Sequence, residues 1–312
     1  MSGKIALTHA SSLLAEVLLQ LITESGITPD SIVLLDDVKH YGERHACGNT
    51  HLTVGNQYEY DYEDVVAVLL LAADAELESL LQHADCAVIS HALSPEARAD
   101  LVDPSNSRQL TPGLNRIAGA EVANLFHVLQ PLVAEMEVTS IQAVNVLSAA
   151  LYGQTAVESL AAQTVALLSS RDPVAAPFEQ QLAFNMLPQP ADSLAQRQLA
   201  ALLGSDIDLS MHSVITAALH GMVQSVDLTL SAATDLSRVK SLLGQIAELR
   251  DGDVAVSPLS DCRHGARPLV YDLRQPQNDA KRLHFWIIAD SIRNGLAQNY
   301  LSAITFLLKS FL

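Results

Sequence analysis

The sequence predicts an α/β chain in two parts: an N-terminal parallel sheet flanked by helices, and a second α+β region with longer strands. Three observations carry this. Up to about residue 135, short segments apolar on both faces alternate with helical segments, the pattern of a parallel sheet covered on each side. Beyond it the strands lengthen, as in MEVTSIQAVNVLSA (136–149). The chain also opens with a short apolar strand, a turn and an amphipathic helix, the way a dinucleotide-binding domain begins.

The elements follow in order. IAL (5–7) is a buried strand, and SSLLAEVLLQLITESG is a helix with a Ser N-cap and Gly26 as its stop. SIVLL (31–35) is a second strand, closed by Asp36-Asp37. HLTVGNQYEYD (51–61) alternates around a Gly-Asn pair and reads as a hairpin. DVVAVLLLAA (64–73), AELESLLQHA (75–84) and CAVIS (86–90) read as strand, helix and strand. In the second part, 155–170, 194–204 and 235–249 are helical. MHSVITAALHGMVQSVDLTLS (211–231) is a pair of long strands or one bent strand. HFWIIAD (284–290) is a strand, and an apolar helix runs from Gly295 to Leu312. The expected domains are 1-133 plus 292-312, and 134-291.

Composition excludes several classes. Net charge is −17, from 35 acids against 18 bases, and such a surface repels nucleic acid and anionic membranes. No run of eighteen apolar residues is present, so no membrane span is expected, nor a secretory signal. Three scattered cysteines make no disulfide framework, which points to a reducing, cytoplasmic setting.

Three collinear segments carry a family resemblance over nearly the whole length. FWIIADSIRNGLAQNYLSAI (285–304) is similar to the strand–helix junction W-V-V-A-D-N-L-x-K-G-A-x-x-N of the aspartate-semialdehyde dehydrogenases. GQTAVESLAAQT (153–164) resembles their G-x-x-G-V-E-E-L-x-x-Q-T helix, and LAFNMLPQ (182–189) their I-x-F-N-L-I-P segment. The resemblance implies an N-terminal Rossmann domain that binds NADP and a second domain that forms a homodimer. It also implies reduction of an acyl phosphate through a cysteine thioester, with a histidine as acid/base.

Position by position, that chemistry is missing. The cysteine of the family's N-P-N-C-S-T turn falls on Ala120, and no cysteine occurs between Cys86 and Cys262. The glutamine that positions it falls on Leu147. In ITAALHGMVQ (215–224), the stretch matching R-V-P-V-x-x-G-H-S-E, the arginine becomes Ile215, the histidine Met222 and the glutamate Gln224. The glycines of the family's G-x-x-G-x-x-G turn become His9, Ser12 and Ala15. A small residue suffices at the third position, but side chains at the first two crowd the surface where a pyrophosphate would lie. Asp36 and Asp37 repel a 2′-phosphate, although either suits a ribose hydroxyl of NAD.

The expectation is a Usg-type paralogue of the family that has lost catalysis and dinucleotide binding, with no cofactor and no metal. It would be kept as a homodimeric binding or regulatory protein with an unknown protein or small-molecule ligand. Two alternatives stay open: an active NAD(P)-dependent semialdehyde dehydrogenase of amino-acid biosynthesis, or altered chemistry through His220. His220 lies two residues before Met222 and would share its face on a strand. Two other groups read more simply as loops: His40, His45, Cys47 and His51, which have no recognised zinc spacing, and Asp261-Cys262-Arg263-His264.

Overall fold

The structure, a computed structural model, describes residues 3–94, 96–103, 109–190, 193–204, 206–262, 265 and 267–310. The chain divides into two compact units, Met1–Gly119 with Leu296–Leu312, and Ala120–Gly295.

In the first unit the elements are β1 (Lys4–Leu7), α1 (Leu13–Glu24), β2 (Ile32–Asp36), β3 (Arg44–Cys47), β4 (Thr50–Asn56), β5 (Val65–Leu70), α2 (Ala75–Leu81), β6 (Ala87–Ser90), β7 (Asp100–Leu101) and β8 (Gly113–Arg116). They form an eight-stranded sheet in the order β3-β4-β2-β1-β5-β6-β8-β7. Every pairing is parallel except β3 with β4. The apolar runs of β1, β5 and β6 make the centre, where Ile5, Leu7, Leu69 and Ile89 are sealed from solvent. Each such side chain stabilises the fold by about 1.5–3 kcal/mol relative to exposure. Helix α1 starts where the Ser12 hydroxyl accepts from the Ala15 amide at 3.2 Å, and it buries Leu14, Leu18 and Ile22.

The hairpin differs from expectation. It joins β3 to β4 across Gly48, with Cys47 opposite Thr50, so Gly55-Asn56 is no turn. Gly48, at φ +62°, supplies the left-handed residue the turn needs. Gly55 instead lies in β4, where a Cβ would meet Leu35 Cδ2 at 3.0 Å; the glycine serves close approach to β2.

The second unit runs α3 (Ala120–Glu135), β9 (Val138–Leu147), α4 (Gln154–Leu168), β10 (Met186–Pro188), α5 (Ser193–Leu203), β11 (Asp208–Thr216), β12 (Met222–Leu230), α6 (Leu236–Leu243), β13 (Glu248–Arg250), β14 (Leu269–Arg274) and β15 (Arg282–Ala289). Its seven-stranded sheet has the order β10-β11-β9-β12-β15-β14-β13. The pairs β9–β11 and β13–β14 are parallel and the others antiparallel. Residues 211–231 are thus two strands. Helix α3 packs on α5, α6, β9 and β15, which groups it with this unit although 1-133 was expected to belong to the first. After a wide turn at Ser291–Ala297, helix α7 (Gln298–Ser310) returns to the first unit and packs on α1 and β5.

Alternation across the second sheet leaves one face sealed and the other open. Ala143, Asn145, Gln224, Val226 and Phe285 are buried, whereas Val144 is 44% and Trp286 37% exposed. Ser225 sits opposite both Val144 and Trp286, and Val144 sits opposite His212, so the open face carries a mixed apolar and polar row.

Candidate functional site

The second unit brings the five family-position residues to one region. Ile215 near the end of β11 pairs with Leu147 at the end of β9. Val223 pairs with Val146, which sets Met222 at the same end of the sheet on the next strand. Exposure is 3% for Leu147 and Ile215, 1% for Met222 and 2% for Ala120. Ile215 belongs to an apolar cluster with Ala149, Ala156, Leu160, Phe178, Leu182 and Ala183. Ala120 opens α3 against Gly295, where a Cβ would fall 2.7 Å from the Ala120 Cβ. A helix N-terminus suits an anion or thiolate, yet the residue placed there is a methyl group against backbone.

Gln224 is the polar survivor. Its Nε2 donates to the Glu121 carbonyl and to Asn145 Oδ1, both at 2.8 Å, which ties β12 to the first turn of α3. Asn145 Nδ2 in turn donates to Ser213 Oγ at 3.1 Å. The Oε1 of Gln224 and both amide atoms of Asn124 are buried with no hydrogen-bond partner among the described residues. Asn124 and Asn145 are residues the sequence reading missed; inside apolar helix and strand patterns they carry no signal of their own.

His220 does not join this group. Strand β11 stops at Thr216 and β12 starts at Met222, so His220 lies exposed in the turn between them. Gly221 breaks the alternation at φ +92°, and a Cβ there would strike Pro258. The shared face inferred from strand spacing is therefore corrected: the two-residue rule does not cross a left-handed glycine.

In the first unit, the carboxyl ends of β1, β2 and β5 and the segment after β4 converge, the place where open α/β sheets bind ligands. His9 holds φ +54° without being a glycine. Its amide donates to Gln57 Oε1 at 3.3 Å, its Nδ1 lies 3.0 Å from Thr8 Oγ1 and its Nε2 lies 3.4 Å from Asp74 Oδ2. Burial pushes the imidazole pKa down, against the opposing pull of Asp74, Asp36 and Asp37. Ser12 caps α1, and Ala15 is buried where α1 meets the sheet. Asp36 is also buried and accepts from the Ser11 and Asp37 amides, each at 2.8 Å. Gln57 Nε2 at 3.2 Å and Tyr58 Oη at 2.8 Å both donate to Asp74 Oδ2, while Asp74 Oδ1 accepts from the Leu77 amide that starts α2. The sequence reading did not single out Asp74; its role as a hub is tertiary. These residues do not fit a pyrophosphate, because the crevice holds imidazole and carboxylate where phosphate oxygens need room and donors.

The remaining groups stay apart or structural. Cys47 is sealed beneath the hairpin and His51 is exposed on it. His40 Nδ1 faces Glu43 at 3.0 Å. Asp36, Asp37 and His40 bring ligand atoms within 4.8 Å of one another, but the Asp36 oxygens are already used by backbone amides. Arg263 and His264 lie outside the described residues. Cys262 donates to the Ile288 carbonyl, and burial pushes its thiol up to about 12.

No family model matches the chain. It is 27% identical to a USG-1 protein homolog of Pseudomonas aeruginosa, covering 99% of this chain and 98% of that one. It is 20% identical to aspartate-semialdehyde dehydrogenase 2 of Vibrio cholerae, covering 98% of each. The solved structure of a probable aspartate-semialdehyde dehydrogenase from Pseudomonas aeruginosa superposes with a TM-score of 0.87 at 27% identity over the full length of both chains. The chain is thus similar from end to end, in sequence and in fold, to USG-1 protein homologs and aspartate-semialdehyde dehydrogenases.

Proposed function

We propose that this member of the family has lost the covalent chemistry and the dinucleotide dependence, and acts as a homodimeric binding or regulatory protein. One observation carries the reading. Ala120, Leu147, Ile215 and Met222 are all buried, and none bears a nucleophile or a titratable group. Acyl transfer through a thioester needs a thiolate. The second unit's single cysteine, Cys262, has its thiol hydrogen-bonded and its pKa raised, so it offers none at neutral pH. Replacing buried polar groups by apolar ones is neutral or stabilising once the chemistry is not required. His220, exposed in its turn, gives no support to altered chemistry.

Loss of cofactor is supported by the misfit of His9, Asp36 and Asp74 to a pyrophosphate. The homodimer is supported by the open face of the second sheet, whose half-exposed Val144 and Trp286 suit a second copy of the same surface. The cytoplasm is supported by three free cysteines and the acidic balance.

The test is phosphate-dependent reduction of NADP with aspartate semialdehyde, where no rate above background is expected. A clear rate overturns the reading. A thermal-shift titration of the unaltered protein with NAD and NADP should show no change at micromolar ligand. Sedimentation at micromolar protein should give a dimer.

A further inference from the structure

In the crevice of the first unit, the positions of the family's turn glycines carry side chains. His9 sits at φ +54°, the left-handed conformation for which glycine is the default residue. Ser12 caps α1, and the Ser11 amide donates to the buried Asp36 Oδ2. What fills the space is a set of side chains tied to one carboxylate. Asp74 Oδ2 accepts from Tyr58 Oη at 2.8 Å and Gln57 Nε2 at 3.2 Å, and stands 3.4 Å from His9 Nε2. Gln57 also receives the His9 amide, and the Tyr62 hydroxyl donates to the Gln57 carbonyl at 2.7 Å. The β1–α1 turn, the β5–α2 turn and the segment after β4 are thereby joined through Asp74.

We propose that Asp74 is a latch that closes an otherwise intact dinucleotide crevice, with His9 as its plug. This rests on the proposed loss of cofactor binding and specifies its cause: closure by side chains, not collapse of the loops. An N-cap alone does not account for the contacts. Capping uses Oδ1, on the Leu77 amide, whereas the other three groups gather on Oδ2. A collapsed loop would also relax His9 out of the left-handed region, since a non-glycine residue there is strained.

Asp74→Asn separates cap from latch, because Asn caps helices as well as Asp does. Its amide cannot accept two donors and an imidazole on Nδ2. Hydrogen exchange in Asp74→Asn should therefore rise over residues 9–12 and 56–60 while α2 keeps its protection. The second arm compares His9→Gly with His9→Gly/Asp74→Asn, titrated with NAD and with ADP-ribose by calorimetry. The double variant should bind at least about tenfold more tightly than His9→Gly alone. Unchanged exchange in both segments, or equal affinity of the two variants, overturns the latch. Micromolar binding by the unaltered protein would instead overturn the proposed loss of cofactor, so the two failures are distinguishable.

Discussion

Leu147 and Ile215 are register partners on the parallel strands β9 and β11, and each is only 3% exposed. At these two positions the family resemblance places a glutamine and an arginine. Both side chains contribute by burial, and Ile215 belongs to one apolar cluster with Phe178 and Leu182.

Ile215→Arg should therefore be costly. The guanidinium would enter the apolar cluster of Phe178, Leu160 and Leu182, at about 3–5 kcal/mol. Urea denaturation measures this as a lowered midpoint. A loss under about 1 kcal/mol would mean that the position reaches water.

Ala120→Cys alone should restore no dehydrogenase activity, since Leu147, Ile215 and Met222 supply neither acid/base nor substrate contacts. Gly295→Ala should destabilise by about 1–3 kcal/mol through overpacking, because its Cβ would lie 2.7 Å from the Ala120 Cβ. Thermal unfolding of the two variants checks the close approach independently of activity.

Gln224→Leu removes the donor to Asn145 Oδ1 and the Glu121 carbonyl, depriving the buried Asn145 oxygen of its bond and untying β12 from α3. A loss of about 1–3 kcal/mol is expected. Gln224→Glu should cost more, since a buried carboxylate would face the Asn145 and Glu121 oxygens.

Stability should fall as pH drops below neutral. The Tyr300 hydroxyl donates to the Leu70 carbonyl at 3.0 Å, so His91 Nδ1, at 2.8 Å, donates to that oxygen. Burial lowers the His91 pKa from 6.5 to about 4. The fold favours the neutral ring, so this contribution is complete above pH 6.5 and disappears as pH falls from there through 4. Its size is on the order of 3 kcal/mol. His9 is shifted in the same direction. His91→Gln should flatten the dependence of the urea midpoint between pH 7 and pH 5; an unchanged slope would remove His91 as its source.

The proposed dimer face is tested by charge. Val144→Lys/Trp286→Glu places two charges in the row around Ser225 and should give a folded monomer by sedimentation. A dimer that survives unchanged would move the interface elsewhere.

Much of the fold was legible because periodicity reports burial. Runs such as VVAVLL and the alternation in β12 leave few alternatives to a buried parallel strand and a half-covered sheet. The hairpin was misplaced because two Gly-Asn pairs compete, and local chemistry does not say which glycine turns and which lets a strand approach. The shared face of His220 and Met222 fails for a related reason: alternation does not carry through Gly221, whose left-handed backbone resets it.

By itself, the sequence determined that this chain has two α/β-type halves, that it resembles a dehydrogenase family, and that Ala120, Leu147, Ile215 and Met222 carry none of that family's reactive groups. Residue identity is enough for that, because a methyl or a thioether does not act as a nucleophile or base. Only the tertiary structure decided that three of these positions line one sheet end as packed core, that Gln224 ties β12 to α3, and that Asp74 gathers His9, Gln57 and Tyr58 across the first crevice. Those are contacts between residues distant in sequence. Their energies depend on distance and burial, which no local pattern encodes.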